Sequence, residues 1–483
     1  MKFSPRAITW IALSCIVLLG LGLRLYDISQ NSLSLDEGYT LFLAKKSPGV
    51  MVRAIMAEDN HPPLHYLAMR YWVKIAGQSE FALRLPSAVI GTLSIFAMYA
   101  LAAAAFGSGP GLAGAFILAL SRYHIALSQE ARGYSLMVLL CILSYYFFFL
   151  VQKKPDKKNI SLYIVTSVLL FYTHYYGAFV ILGQVLYSAY KLVTLPQEQK
   201  TGYIKICAIT FGLVLIFCAP WLPVMLFRAK SEAPFARFGS LLTKEIFTAF
   251  GTYAGSLPAL VVFICIVLIW LFQQRRTIFS KATLVTQNGA WVLLICWVIA
   301  VMVIPYVFSF FTVPLFTRRC AVTASIPFYI LIAFAVYRIN FRLLRIILLT
   351  GLFFTCLLED LHYFSGPINP QWKECSRMID EVKKDGDALV FSPAGCKDFV
   401  FSYYSKKPPS HCFLYPMHDA PVAGETERMI DTLKKYQTIY FARGSEILDN
   451  GAFETMLARN FLKKDSLDFR KLILYTVENR GGR

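Results

Sequence analysis

The chain has 483 residues, of which 57% are hydrophobic and 16% are charged. Soluble domains average about 45–50% apolar and about 25% charged residues, so this composition excludes an ordinary soluble enzyme and a disordered chain. Lys and Arg outnumber Asp and Glu by 48 to 29, a formal net charge of +19. These basic residues are dispersed and no nucleic-acid recognition motif is present, so we expect them to flank membrane spans rather than to bind nucleic acid. The sequence predicts a polytopic membrane protein.

Long apolar runs predict about eleven transmembrane helices. The first run, 7–25, follows two basic residues but is not followed by a small-residue cleavage site, so we interpret it as a retained span rather than a signal peptide. The more polar segment 61–78 is predicted to be an amphipathic helix at the membrane surface. The other spans are expected at 84–105, 111–127, 134–151, 160–174, 177–195, 203–227, 257–272, 289–311, 320–338 and 342–358.

The loops between these spans indicate an orientation. Basic clusters occur in alternate connections, most clearly at 152–159, 191–202 and 273–288, which the positive-inside rule places in the cytoplasm. The N-terminus is then cytoplasmic, and an odd number of spans puts the tail outside the cell membrane. We expect a transmembrane domain at 1–361, with a first outer loop at 26–83, and a small extracytoplasmic α/β domain at 362–483.

The tail has the pattern of alternating helices and strands. A helix is predicted at 372–384 and another near 447–461, with strands at 388–391, 438–441 and 471–476, and loops at 408–409 and 416–421. Cys396 and Cys412 lie in this tail, where an oxidising compartment would allow a disulfide, and free thiols are the alternative.

The first outer loop has the highest density of acidic and histidine residues. Asp36 and Glu37 lie together, and Asp59 and His61 precede a Pro-Pro pair. Ser34 or Asp36 as a helix cap, with Glu37 in the first helical turn, would be a purely structural explanation. However, acids and an imidazole beside apolar helices are costly unless they have a function.

A second set of polar residues follows at other predicted outer connections. It suits an anionic phosphate group, because guanidinium groups bind phosphate through paired hydrogen bonds. The structural alternatives are an ion pair of Glu130 with an arginine, an interfacial position for His174, and ordinary headgroup contacts for Arg318 and Arg319. The candidate substrate-binding residues of this set are Arg122, Gln129, Glu130, Arg132, Tyr134, His174, Arg318 and Arg319.

Four motifs in this order resemble a known family. They are Leu35-Asp-Glu-Gly-Tyr39, Asp59-Asn-His-Pro-Pro-Leu64, Phe81-Ala-Leu-Arg-Leu-Pro-Ser87 and Ser128-Gln-Glu-Ala-Arg-Gly-Tyr134. Together they resemble the family 39 glycosyltransferases, which include the protein O-mannosyltransferases and the aminoarabinose transferase of lipid A. These are membrane enzymes of the C-type class (the GT-C fold). The resemblance covers roughly the first 190 residues and weakens beyond them.

The resemblance implies a glycosyltransferase with a polyprenyl-phosphate monosaccharide donor, an inverting transfer and a glycan, lipid or protein acceptor. Asp36 then matches the catalytic Asp of the first loop, and Asp59 matches the Asp of the Asp-x-His-Pro-Pro pattern. Glu37 and His61 become substrate-binding candidates. Asp36 is our candidate for the general base.

The sequence also leaves other functions open. A membrane transporter, or a lipid-linked polymerase or ligase of the cell envelope, is the alternative function. No cofactor is required by the sequence, although Asp36, Glu37, Asp59 and His61 could supply ligands for a divalent cation. No nucleotide-binding motif is present.

Overall fold

A computed structural model describes residues 4–59, 61–231, 239–278, 281–310, 315–392, 395–407, 410–415, 425–444 and 452–480. The chain divides into two units. The helical unit comprises Met1–Tyr26, Ser47–Ala68 and Arg84–His362. The sheet unit comprises Asp27–Lys46, Met69–Leu83 and Tyr363–Arg483, so it takes two pieces from the predicted first outer loop.

Eighteen helices precede the tail in the described residues. In chain order they are α1 (Pro5–Leu25), α2 (Leu35–Lys45), α3 (Pro48–Glu58), α4 (Leu64–Ala76), α5 (Glu80–Phe106), α6 (Ser108–Ala119), α7 (Arg122–Ser128), α8 (Tyr134–Lys153), α9 (Lys157–Thr173), α10 (Gly177–Thr194), α11 (Gln197–Cys218), α12 (Leu222–Ser231), α13 (Gly239–Ala254), α14 (Leu257–Ile278), α15 (Lys281–Val298), α16 (Ile304–Phe308), α17 (Ser325–Arg338) and α18 (Arg342–Tyr363).

Local sequence explains several of these boundaries. Ser4 caps α1 by accepting a hydrogen bond from the Ala7 amide, and Pro5 occupies the first helical position, where no amide donor is needed. A 3₁₀ turn at Ala219–Trp221 joins α11 to α12, and it contains a proline that lacks the amide donor of a regular helix. The amphipathic helix predicted within 61–78 corresponds to α4.

Seven helical stretches in the described residues are long and apolar enough to cross a membrane, and nine are if each of two bent pairs forms one span. The predicted span 111–127 is one of these pairs, because α6 and α7 meet at a 62° bend. The predicted spans 160–174 and 342–358 fall on α9 and α18, which are not among the nine. α9 has only 17 residues, fewer than the about 20 that cross a bilayer core.

The sheet unit contains a five-stranded mixed sheet with the strand order β2-β1-β3-β5-β4. β1 pairs in parallel with β2 and β3, while β5 pairs antiparallel with β3 and β4. The strands are β1 (Ala388–Ser392), β2 (Cys412–Leu414), β3 (Thr438–Gly444), β4 (Phe461–Phe469) and β5 (Leu472–Asn479), and the remaining helices are α19 (Trp372–Val382), α20 (Ser402–Tyr404), α21 (Glu425–Leu433) and α22 (Ala452–Asn460).

The predicted elements of the tail correspond to α19, β1, β3, β5 and, within 452–460, α22. The short β2, the polar β4 and α21 were not expected from the pattern. The loop predicted at 408–409 lies outside the described residues, as does 416–421. Cys396 and Cys412 are both free thiols.

Part of the predicted outer loop packs inside the sheet unit. Tyr39 and Phe42 of α2 place their rings 5.1 and 5.2 Å from the ring of Phe399. A Cβ atom at Gly38 would lie 2.3 Å from the Phe399 carbonyl oxygen, so only glycine permits this approach. Within the sheet unit, α2 therefore packs directly against residues of the tail.

Candidate functional site

Asp59 and His61 form a short hydrogen-bonded turn between α3 and α4. Asp59 follows the last residue of α3, and its Oδ1 accepts a hydrogen bond from the His61 amide at 3.0 Å. The same oxygen lies 3.0 Å from Nδ1 of His61. With a proton on Nδ1 donated to Asp59, Nε2 of His61 keeps a lone pair, so the carboxylate fixes both the tautomer and the orientation of the imidazole.

The Asp59 carboxylate is poorly satisfied for a buried acid. The residue is 7% exposed, and its Oδ2 has no hydrogen-bond partner among the described residues. Burial alone would raise the pKa of Asp59, but its hydrogen bonds with His61 and Tyr66 and the positive charge of Arg132 hold that pKa below its ordinary value. Asp59 is therefore a buried anion with one oxygen available to a ligand.

Arg132 supplies the positive charge beside this acid. It is 5% exposed, and its Nη1 donates to the Tyr66 hydroxyl at 2.9 Å, while Nη2 lies 3.4 Å from Nδ1 of His61.

His65 is a buried imidazole in the first turn of α4. Its Nε2 lies 3.3 Å from the Ala131 carbonyl oxygen. Burial, reinforced by the charge of Arg132, lowers the pKa of His65 to about 3, so His65 is neutral.

Aromatic and basic side chains extend the cluster on the other side of His61. The ring of His61 lies 4.9 Å from that of His174 and 6.1 Å from that of Tyr134. The Arg319 guanidinium lies 4.7 Å from the Tyr134 ring centroid and pairs with Glu130. We name this set the His61 cluster: Asp59, His61, Tyr66, Arg132, Tyr134, His174 and Arg319.

The His61 cluster combines three chemical capacities in one place. It holds an imidazole with an oriented lone pair, a buried carboxylate, and two guanidinium groups of the kind that bind phosphate oxygens. A proton acceptor beside fixed cations suits a reaction in which a hydroxyl attacks and a phosphate leaves.

Three other predicted substrate-binding residues have structural partners instead. Arg122 pairs with Glu359 at 2.8 Å, and Arg318 pairs with Glu245 at 2.9 Å. The Gln129 side-chain amide donates to backbone carbonyls at the end of α1, including that of Tyr26 at 2.7 Å. Such bonds satisfy carbonyl groups that a helix end leaves without intrahelical donors.

Asp36 and Glu37 belong to the sheet unit, in the first turn of α2. Glu37 forms a capping box with Ser34: its carboxylate accepts from the Ser34 amide at 2.9 Å, and its own amide donates to the Ser34 hydroxyl at 3.3 Å. The Asn369 side chain also donates to Glu37 at 3.4 Å. Asp36 is half-exposed. The structural alternative considered for this motif thus describes Glu37, with Ser34 as the cap.

Some members of the site were not predicted from sequence. Tyr66 carries the hydroxyl that Arg132 binds, and Glu359 and Glu245 are the partners of Arg122 and Arg318. The only sequence feature that pointed to Tyr66 was its position in the segment 61–78, which was predicted to be an amphipathic helix. Within the described part of the chain, no group of three or more His, Cys, Asp or Glu residues is arranged to hold a metal ion.

Comparison with known families identifies part of the chain. Residues 60–223 match the family described as dolichyl-phosphate-mannose-protein mannosyltransferase. This region contains His61, Arg132, Tyr134 and His174. No curated protein matches the sequence.

Solved structures share the fold over nearly the whole chain. ArnT from Cupriavidus metallidurans, bound to undecaprenyl phosphate, is 13% identical with a TM-score of 0.61, and the match covers 97% of this chain and 98% of that one. The oligosaccharyltransferase of Archaeoglobus fulgidus, solved with zinc and sulfate, is 12% identical with a TM-score of 0.61 over 96% of this chain and 72% of that one.

The predicted fold class and the predicted resemblance are confirmed by these comparisons. The chain is an integral membrane protein with the fold of the C-type membrane glycosyltransferases and a small C-terminal sheet. The family match and the fold together support an enzyme of the glycosyltransferase type.

Proposed function

We propose that the protein transfers a monosaccharide from a polyprenyl-phosphate donor to an acceptor hydroxyl, with inversion at the anomeric carbon, on the extracytoplasmic face of the plasma membrane. The observation that carries this proposal is the His61 cluster, where a buried carboxylate, an oriented imidazole and two guanidinium groups meet. The names of the structural relatives, one of them bound to undecaprenyl phosphate, support a lipid-phosphate substrate.

In the proposed reaction the acceptor oxygen attacks the anomeric carbon and loses its proton to a general base. The bond from that carbon to the phosphate oxygen breaks, and polyprenyl phosphate leaves with the electron pair. Arg132 and Arg319 stabilise the negative charge that develops on the phosphate. Asp59 and His61 orient the acceptor, and Tyr134 and His174 complete the walls of the cluster.

We assign the base to Asp36. The assignment rests on its match to the family motif and on its half-exposed position in the first turn of α2, where Glu37 already fills the capping role. Arg122, Glu130 and Arg318 form ion pairs within the helical unit, and Gln129 fixes the end of α1. In this proposal, residues 1–361 carry the transfer and 362–483 form the outer domain.

The test is release of free polyprenyl phosphate by the purified full-length protein in nanodiscs. Asp36→Asn should lower the initial rate by about 10²–10⁴-fold, because general base catalysis contributes that much. The control is Asp385→Asn, which changes an exposed aspartate of the same unit. An Asp36→Asn protein that elutes as the folded wild type and retains full activity would reject the assignment.

The same assay separates the alternatives. A polymerase or ligase would release the lipid phosphate only from a donor carrying a longer glycan. A transporter would move the lipid-linked sugar across the bilayer without breaking its phosphate bond. Release from a monosaccharide donor therefore supports the proposal, and its absence contradicts it.

A further inference from the structure

The sheet unit carries a groove of about 830 Å³ that the proposed transfer chemistry does not use. Four basic residues line it, namely Lys373, Arg377, Lys406 and Lys407. Three carboxylates, two tyrosines and Gln78 complete its walls. All these residues belong to the sheet unit. They come from α19, from α20 and the residues that follow it, and from the start of α5 with Gln78 just before it.

Two of the three carboxylates already accept hydrogen bonds from the protein. Asp380 accepts from the Ser405 hydroxyl at 2.6 Å through one oxygen and from the Lys406 amide at 2.7 Å through the other, so both of its oxygens are engaged although its charge remains. Glu80 pairs with Lys373 at 3.2 Å, and this ion pair balances one cation of the groove.

The cations, in contrast, are largely uncommitted. Within the described chain, neither the Arg377 guanidinium nor the Lys406 ammonium has a hydrogen-bond or ion-pair partner, and both residues are exposed. Lys407 Nζ donates only to the neutral Asp380 carbonyl at 2.6 Å, so its charge also remains. Glu381 also has no hydrogen-bond or ion-pair partner among the described residues. Four cations thus face three carboxylates, a net charge of +1, and the two uncommitted cations Arg377 and Lys406 favour an anionic ligand.

The two tyrosines give the groove fixed aromatic walls. Tyr403 donates to the Gln78 carbonyl at 2.8 Å. The Tyr404 hydroxyl accepts from the Leu33 amide at 2.7 Å and donates to Glu80 at 3.3 Å. Their rings are nearly perpendicular, at 85°, with centroids 4.7 Å apart. Because the hydroxyls are held, both rings line the groove in fixed positions, and the electron-rich face of an aromatic ring attracts the positively polarised C–H groups of a sugar.

We propose that this groove binds an acidic saccharide, through Arg377 and Lys406 to its anionic group and through Tyr403 and Tyr404 to its rings. We infer further that this saccharide is part of the acceptor, and this second step rests on the proposed function.

Binding of trigalacturonate to the full-length protein in nanodiscs, measured by calorimetry, tests the site without any transfer reaction. Maltotriose is the neutral probe of matched size, and inorganic phosphate is the anion without a sugar. Trigalacturonate should bind more tightly than either, and its affinity should fall as salt is raised. The double variant Arg377→Gln/Lys406→Gln should weaken it by about tenfold or more, because each lost contact is a hydrogen bond to a charged group.

Arg428→Gln/Lys435→Gln removes two exposed cations of the same unit that do not line the groove, and it should bind like the wild type. Equal affinity for trigalacturonate and maltotriose, or equal losses in the two double variants, would overturn the groove proposal. Phosphate binding as tight as trigalacturonate would overturn its saccharide part. A wild-type protein that binds trigalacturonate but releases no polyprenyl phosphate would refute the proposed function and the acceptor assignment, while the groove proposal would stand.

Discussion

Glu37 and Asp59 are two buried acids of the same predicted outer loop, yet their oxygens are used differently. The Glu37 carboxylate accepts hydrogen bonds from the Ser34 amide and the Asn369 side chain. Asp59 bonds through Oδ1 alone, and its Oδ2 has no partner in the described part of the chain. Burial of an acid therefore does not by itself indicate chemistry. The carboxylate with a vacant, buried oxygen is the one available to a substrate.

The arginines show the same contrast. Arg122 and Arg318 each pair with one carboxylate, Glu359 and Glu245. The buried Arg132 instead binds the Tyr66 hydroxyl, contacts His61 and lies beside the Asp59 anion. Arg132 is therefore the arginine of these three that is held within the His61 cluster.

Of the two acids Glu37 and Asp59, Asp59 should give the larger effect when it is changed to asparagine. Asparagine keeps an oxygen acceptor for the His61 amide but loses the charge that orients and supports the imidazole. We expect the rate of polyprenyl phosphate release to fall by about 10³-fold, within the range for loss of a positioned acid–base group. The folded state should persist, which gel filtration and the thermal unfolding midpoint check.

The matched control for this change is Glu198→Gln, which neutralises an exposed acid in the first turn of α11 in the helical unit. This control should release polyprenyl phosphate at the wild-type rate. If Asp59→Asn is folded and equally active, the vacant oxygen of Asp59 has no part in the reaction, and the comparison with Glu37 loses its meaning.

Much of the fold follows from the sequence alone. Each of the eleven predicted spans overlaps one or more helices of the described residues, and the tail strands β1, β3 and β5 were found from their apolar runs. The bend between α6 and α7 was not predicted, because residues 120–121 contain no proline or glycine to indicate it. β4 was missed because its exposed residues, such as Lys463 and Lys464, hide the alternation that indicates a strand.

The site was predicted in its residue types but not in its partners. The motifs drew attention to Asp59, His61 and Arg132, which the structure brings together. Sequence could not show that Arg122 pairs with Glu359, because 237 residues separate them. The sequence also could not show that α2 packs within the sheet unit, since the contact of Gly38 with Phe399 depends on tertiary structure.

A smaller effect is expected from pH, through His65. Burial lowers the pKa of this imidazole from 6.5 to about 3 in the folded protein, so the folded state takes up a proton less readily than the unfolded state. Its contribution to stability is thus complete above pH 6.5 and is lost progressively as the pH falls from 6.5 towards 3. Between pH 7 and pH 5 the loss should be about 2 kcal/mol.

His65→Gln should remove this part of the pH dependence. The glutamine amide can still donate to the Ala131 carbonyl but has no proton to gain in this range. The measurement is the thermal unfolding midpoint of each protein in detergent at pH 7 and pH 5. Equal decreases for the wild type and the variant would show that His65 does not titrate on unfolding.

The smallest effect is expected at Glu37. Two substitutions there distinguish a role in helix capping from a role in substrate binding. Glu37→Ala removes the capping box and should lower the free energy of unfolding of the sheet unit by about 1 kcal/mol. Glu37→Gln keeps an oxygen acceptor for the Ser34 amide, so its unfolding midpoint and its rate of polyprenyl phosphate release should both remain close to the wild type. If Glu37→Gln instead keeps the midpoint but loses transfer, the carboxylate charge serves the substrate. The distinction drawn between Glu37 and Asp59 would then fail, because an acid that caps a helix would also be acting in the chemistry.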